Sequence, residues 1–338
     1  MSGSIILGIE SSCDDTSAAI ISGNKILSNV AANQEIHNEY GGVVPELASR
    51  AHQQNIIPVV EKAFSKANIQ QNDICAIGFT RGPGLLGSLL VGTSFAKSLA
   101  MSLGVPLIEV NHLQAHILAH FIDDANPISP TFPFLCLTVS GGHTMIVLVK
   151  DYFEMEIIGK TIDDAAGEAF DKIGKIFDLD YPAGPIIDKL AKEGNPDAFQ
   201  FNKPRMENYD YSFSGIKTSV LYFIQKEVRK NPDFIKENLN DLCASVQKSI
   251  IEILMNKLEK ASVDLNIKDV AIAGGVSANS ALRKAMELNQ EKLGWNIFIP
   301  KFEYTTDNAA MIAMVAKLKY ERGEFTDIRT TATAKYDL

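Results

Sequence analysis

The sequence predicts an α/β fold built from two related lobes, and three observations carry that prediction. "SIILGIESSCDDTSAAIIS" near the start and "FPFLCLTVSGGHTMIVLVKD" from Phe132 share one form: an apolar strand, a small-polar turn, and a resumed strand. Their wide separation suggests two similar halves and not a short-period solenoid. A strand–turn–helix follows at "DVAIAGGVSANSALRKAM", and strands alternating with helices indicate the α/β class.

The elements justify themselves in order. The first strand begins almost at once. "PELASRAHQQNIIPVVEKAFSKA" spaces its apolar residues for one helix face after Pro45. "SLLVGTSFAKSLAMSLG" is a small-residue helix stopped by Gly104 and Pro106. The segment 123–133, with three prolines and no periodicity, is the best linker. It divides the chain into an expected lobe of 1–130 and another of 131–338. "TIDDAAGEAFDKIGKIFD" sets Glu168 and Lys172 one helical turn apart. An irregular stretch runs from about Asn195 to Ser214. "DNAAMIAMVAKLKYERG" starts acidic and ends basic with Gly323, as the helix dipole favours.

Composition narrows the function. The 338 residues are 46% hydrophobic and 22% charged, enough to bury a sizeable core. No uninterrupted apolar run approaches twenty residues, and the N-terminus lacks a basic region and cleavage site, so neither a membrane span nor a secretory signal is expected. Cys13, Cys75, Cys136 and Cys243 form no C-x-x-C pair and suit reduced thiols in a cytoplasmic protein. The net charge of −9 argues against a broad basic surface for nucleic acid. Basic residues are densest in "FIQKEVRK" and around Lys203, Arg205 and Lys217, where a solvated face is the plain explanation.

"NHLQAHILAHF" concentrates three of the six histidines. On a helix His112 and His116 share a face and can present two imidazoles to one metal ion. His120, one turn further on, reads as structural. A zinc protease helix needs Glu after the first His, and Leu113 stands there instead. Two histidines with one carboxylate suit iron or another divalent metal. Asp307, at a helix start, is a candidate third ligand or a plain N-cap. Three glycine-bearing turns could approach phosphate: "TVSGGHT" (138–144), "AGGVSAN" (273–279) and "GPGLLGS" (82–88). None matches a P-loop or an intact G-x-G-x-x-G. Acidic residues gather at Glu10, Asp14 and Asp15 and at Asp163, Asp164, Glu168 and Asp171. They could hold magnesium or ribose hydroxyls, or simply cap helices.

Read together, "GIESSCDDTS", "GGVVPELASRAH", "GPGLLGSLLVG", "NHLQAH", "VSGGHT", "DDAAGEAFDKIGK", "DYPAGP", "FSGIKT", "AGGVSAN" and "TDNAAMIA" resemble the TsaD family, also called Gcp or YgjD, in its bacterial form. The resemblance spans nearly the whole chain. It implies the ASKHA fold of actin, Hsp70 and sugar kinases: two RNase H-like lobes with a cleft between them, an insertion around 160–240, and a C-terminal helix able to pack back on the first lobe. It implies transfer of threonylcarbamoyl from threonylcarbamoyl-AMP to the N6 amine of the adenosine 3′ of the anticodon, in tRNAs reading ANN codons. AMP leaves, and TsaB- and TsaE-like proteins assist. Position by position, it implies metal ligands at His112, His116 and Asp307. It places substrate contacts at Thr138, Val139, Ser140, Gly141, Gly142, Asp171, Gly184, Asp188 and Asn279. The metal would be Fe(2+), or Zn(2+) as the alternative, with Mg(2+) accompanying an ATP-, ADP- or AMP-type nucleotide. Glu10 is the acidic residue to test first as a catalytic group. The rivals are a small-molecule kinase of the same superfamily, a non-enzymatic partner subunit, and a glycoprotease, against which Leu113 counts.

Overall fold

The computed structural model describes residues 3–34, 37, 40–123, 128–204 and 206–338. Arg205 and residues 124–127 of the expected linker lie outside them. The chain divides into two compact units: Met1–Ser129 with Pro300–Leu338, and Pro130–Ile299.

In the first unit, strands β1 (Ile5–Glu10), β2 (Thr16–Ser22), β3 (Lys25–Ala32), β4 (Ala76–Gly82) and β5 (Leu107–Asn111) form a sheet ordered β3-β2-β1-β4-β5. β1, β2 and β3 pair antiparallel; β1, β4 and β5 pair parallel. Alternation along β1 sends Leu7 and Ile9 to the core with Val60 and Phe64 of helix α1 (Pro45–Ala67) and Ala96 of α2 (Leu86–Leu103). The other face receives the helix Ala309–Glu321, called α9 here by its place in the chain. A Cβ at Gly8 would lie 2.5 Å from the Ala313 nitrogen, and one at Gly78 would collide with the Ala316 methyl. The two glycines let this helix lie directly on the strands.

The helix α9 is buried at every residue from Ala309 to Leu318. Lys317, its ammonium held by Asn24 and Glu321 at 2.8 Å each, is the one charged residue in that run; the rest is apolar, as suits a helix inside a core. The chain after Pro300 belongs to the first unit, with the C-terminal helix on that lobe's sheet, so the second unit ends at Ile299, short of the expected lobe of 131–338. By length and composition alone, α2 could cross a membrane. Its small residues Ser88, Gly92, Ala96 and Ala100 are instead buried in this unit.

The second unit repeats the plan. β6 (Phe134–Val139), β7 (Thr144–Asp151), β8 (Glu154–Lys160), β9 (Asp269–Ala273) and β10 (Asn296–Phe298) are ordered β10-β9-β6-β7-β8. β6, β7 and β8 are antiparallel, and β6, β9 and β10 parallel. With β6 standing for β1, the two sheets have the same connectivity. Between β8 and β9, where the first unit has α1, lie α4 (Ala166–Ile176), α5 (Ala183–Ala191), α6 (Ser214–Val228) and α7 (Phe234–Leu265). α8 (Ser280–Leu293) joins β9 to β10. Phe170, Tyr211, Phe213 and Trp295 fill the core.

Asp163 caps a helix, but not the one that follows it. Its Oδ1 accepts from the N–H of Phe213 at 2.8 Å, and its Oδ2 from the hydroxyls of Ser212 at 2.6 Å and Ser214 at 2.7 Å. It therefore fixes the start of α6. Glu168 and Lys172 pair at 2.8 Å as their spacing predicts.

Candidate metal centre

Helix α3 (His112–Leu118) follows β5 directly. Asn111 starts it, its Oδ1 accepting from the N–H of Leu113 at 2.9 Å and of Gln114 at 3.2 Å. An N-cap asparagine before a helical pattern is a legible signal that the sequence reading missed. The helix turns both imidazoles to one side, with ring centroids 4.8 Å apart and planes nearly perpendicular. Their Nε2 atoms converge on Asp307 Oδ1, at 3.4 Å from His112 and 3.2 Å from His116. One donor atom from each of the three residues falls within 4.8 Å of the others. Asp307 is not the N-cap of α9; the neighbouring Asn308 caps it, accepting from Met311 N–H. His120 is buried in the short 3-10 turn after α3 and takes no part in this cluster.

Glu10 sits behind His112 and is fully buried. Its Oε1 accepts from Ser12 N–H, and its Oε2 from the Thr80 hydroxyl at 2.7 Å. His112 Nδ1 lies 3.1 Å from the same Oε2 and 3.2 Å from the Ser12 hydroxyl. Glu10 thus accepts the His112 Nδ1 proton, so that the Nε2 lone pair of the neutral ring would be free for a cation. Both oxygens of Glu10, the acidic residue expected as a catalytic group, are hydrogen-bonded within the protein. Ser12 and Thr80 escaped the sequence reading because nothing local links them to residue 112.

The electrostatics fit a divalent cation. Burial pushes the Glu10 carboxyl up, but the His112 ring outweighs it and Glu10 is lowered overall. Asp307 is only partly buried, its side chain 28% exposed; burial pushes its carboxyl up, but His112 and His116 outweigh that and hold it well below the usual carboxylate range. For His112 burial opposes charge, yet Asp307 and Glu10 raise it well above an ordinary imidazole. Asp15 nearby is pushed up to about 7 by burial, then by Asp14, Asp307 and Glu10. The pocket has an excess of negative charge and two imidazole Nε2 atoms facing one oxygen. A single proton serves only one of those rings, whereas a divalent ion serves both and offsets the carboxylates. His116 Nδ1 is buried without a hydrogen-bond partner, so only packing and whatever meets Nε2 orient that ring.

The second unit gathers two of the three glycine turns. Thr138 and Val139 end β6, and Ser140 N–H donates to His143 O at 2.8 Å to close the turn. Gly274 takes φ +84°, and a Cβ there would lie 2.5 Å from the Val139 carbonyl oxygen. Gly167, in the first turn of α4, donates to Ser140 O at 3.2 Å. The turns at 138–142 and 274–275 are therefore packed against each other and against the start of α4. Gly141, Gly142 and Gly275 have open space where a side chain would stand.

Asp171 accepts from Ala183 N–H at 2.8 Å and also bonds Gly184 N–H, fixing the start of α5; burial nonetheless raises its carboxyl. Asp188 Oδ1 accepts from the Ser280 N–H at 3.1 Å and hydroxyl at 2.7 Å. Asn279 caps α8 through Oδ1 and donates through Nδ2 to Gln247 at 2.7 Å. The third turn, 82–88, differs from expectation. Gly82 lies under the Thr333 carbonyl, and Gly84 lies against Ser12 and donates to Ala334 O at 3.2 Å. Protein fills the space that an anion would need.

A family model described as "TsaD: tRNA N6-adenosine threonylcarbamoyltransferase" matches residues 25–314. A relative of that name from Riemerella anatipestifer is 84% identical over 338 residues, 100% of this chain and 99% of its own. One from Porphyromonas gingivalis is 61% identical over 326 residues, 96% of each chain. Among solved structures, full-length HypF is similar with TM-score 0.60 and 13% identity, over 96% of this chain and 47% of that one. Component A of Acidaminococcus fermentans (R)-2-hydroxyglutaryl-CoA dehydratase gives 0.53 and 16%, and the ROK hexokinase of Thermus thermophilus 0.52 and 14%. Each covers 94% of this chain and is itself covered completely. These structural likenesses speak for the ASKHA fold alone.

Proposed function

Because the chain belongs to the TsaD family, the tRNA N6-adenosine threonylcarbamoyltransferases, we propose that it transfers threonylcarbamoyl from threonylcarbamoyl-AMP to the N6 amine of the adenosine 3′ of the anticodon, in tRNAs reading ANN codons. AMP leaves with the bonding pair of the broken acyl–phosphate bond, and the amine loses its proton. The reaction runs in a cytoplasmic complex with TsaB- and TsaE-like proteins. The observation that carries the reading is the convergence of His112, His116 and Asp307 on one point inside a chain of this family. A chain serving as a small-molecule kinase has no need of that set.

His112, His116 and Asp307 would hold one divalent ion, Fe(2+) first and Zn(2+) second. When bound, it supplies Lewis acidity toward the donor's carboxylate or carbamoyl oxygens. Glu10 keeps the His112 tautomer that frees Nε2. Backbone N–H groups of Gly141, Gly142 and Gly275 would meet the phosphate, since open space lies over all three. Thr138, Val139 and Ser140 shape that turn. Asp171, Gly184, Asp188 and Asn279 frame the nucleoside side by fixing the starts of α5 and α8. Mg(2+) would accompany nucleotide when ATP or ADP is bound. Amine attack is slow in solution, so positioning and a good leaving group carry most of the rate.

The test mixes the chain with both partners, threonylcarbamoyl-AMP and unmodified tRNA, then digests the tRNA and quantifies the modified nucleoside. Product from the unaltered chain and its loss in His116→Ala support the reading. No product from the unaltered chain would overturn it.

A further inference from the structure

The segment following α9 returns along the first sheet and ends beside the residue that starts α3. Thr326 N–H donates to Leu107 O at 2.8 Å, and the Thr326 hydroxyl accepts from Glu109 N–H at 2.8 Å. Thr333 N–H donates to Arg81 O at 2.9 Å, and the Arg81 Nε to Thr331 O at 3.2 Å. Tyr336 donates its hydroxyl to Glu109 at 2.9 Å, beneath an Arg81 guanidinium 4.9 Å from its ring centre. Asn111 Nδ2 then donates to Asp337 O at 2.8 Å and Tyr336 O at 3.4 Å.

An asparagine amide has two chemically distinct ends. Here Nδ2 is held by the carbonyls of this segment, so Oδ1 must face the first turn of α3. That helix has only seven residues, too few to persist without help from caps and packing. Its first residue is His112. We propose that residues 331–337 are a positioning strap for the metal helix, acting through the Asn111 amide and setting the direction of the His112 and His116 rings. The proposal rests on the metal reading for its consequence, but its structural core does not.

Two variants and two readouts decide it. Asn111→Asp keeps a cap acceptor but sets a carboxylate against the Tyr336 and Asp337 carbonyls. A chain stopped after Arg329 removes the strap. In metal-free protein each should lose about ten-fold of the hydrogen-exchange protection at the Leu113 and Gln114 amides. Titrated with Co(II), each should bind about ten-fold more weakly, as supporting partners of metal ligands typically do, with altered d–d bands. Combining the two changes should add little to either. Unchanged exchange at those two amides in a folded variant would overturn the strap. If the shortened chain does not fold, Asn111→Asp decides alone. If the unaltered chain takes up no Co(II), the metal reading falls while exchange still judges the strap.

Discussion

Both carboxylate oxygens of Glu10 are occupied inside the protein, by Ser12, Thr80 and His112. Its removal should therefore be read at the metal before it is read in turnover. Glu10→Gln preserves the volume but weakens the anionic acceptor of the His112 Nδ1 proton. Losses of this kind cost about 10–100-fold in metal affinity, and a chelator competition would measure the change. If affinity holds and turnover at saturating donor also holds, Glu10 has no role at the centre. Asp163 offers a contrasting case outside it. Burial raises its carboxyl, but bonds from Ser212, Phe213 and Ser214 outweigh that and lower it overall. A lowered native value stabilises the fold above the unfolded carboxyl value, near 3.9. The contribution is then lost as pH falls through the lowered native value. The side chain is largely exposed, so solvent screening limits the effect. Asp163→Asn, which exchanges charged for neutral hydrogen bonds, should cost about 1 kcal/mol by denaturant titration at neutral pH. Its deficit relative to the native chain should shrink below about pH 4.

At the scale of elements, α9 links packing to the centre. Its start follows Asp307, and its body lies on Gly8 and Gly78. Gly8→Ala would force the helix off β1, at roughly 1–3 kcal/mol for an overpacked core. It would also move Asp307 away from the histidines. We expect lower thermal stability together with weaker metal binding, whereas Gly142→Ala, with open space around it, should leave stability nearly unchanged. Retained metal affinity in a destabilised Gly8→Ala protein would separate the two effects and refute the link. The same element marks the limit of what the sequence revealed. Period-2 and helical spacings are local, so the strand–turn–strand pairs, α1 and the His112–His116 face were legible. The choice of sheet by a buried helix is not local, nor is an acid at 163 capping a helix at 214. The turn at 82–88 looks like a phosphate loop because close approach of any backbone demands glycine. Only the fold shows that the approaching backbone is the chain's own residue 333.

At the scale of the whole molecule, charge bears on the substrate. A net charge of −9 faces a polyanionic tRNA, and three of the basic residues singled out in the second unit, Lys203, Lys217 and Lys230, are already paired. Lys203 meets Glu252, Lys217 lies 3.8 Å from Asp164, and Lys230 lies 2.8 Å from Glu227. Each pair would have to open before its lysine could neutralise a phosphate. Exposed pairs are weak, about 0–1 kcal/mol, so opening is feasible, but the freed carboxylates would then repel the same backbone. Affinity for nucleic acid comes largely from counterions released per neutralised phosphate, with a log–log salt slope near −0.9 per contact on duplex. The isolated chain should therefore bind unmodified tRNA weakly at physiological salt, with a slope that corresponds to only a few contacts. If the proposed TsaB- and TsaE-like partners supply further cations, adding them should tighten binding and steepen the slope. Fluorescence anisotropy of labelled tRNA across a salt series would measure both quantities. Tight, steeply salt-dependent binding by the chain alone would mean that its own surface, against its net charge, carries the tRNA site.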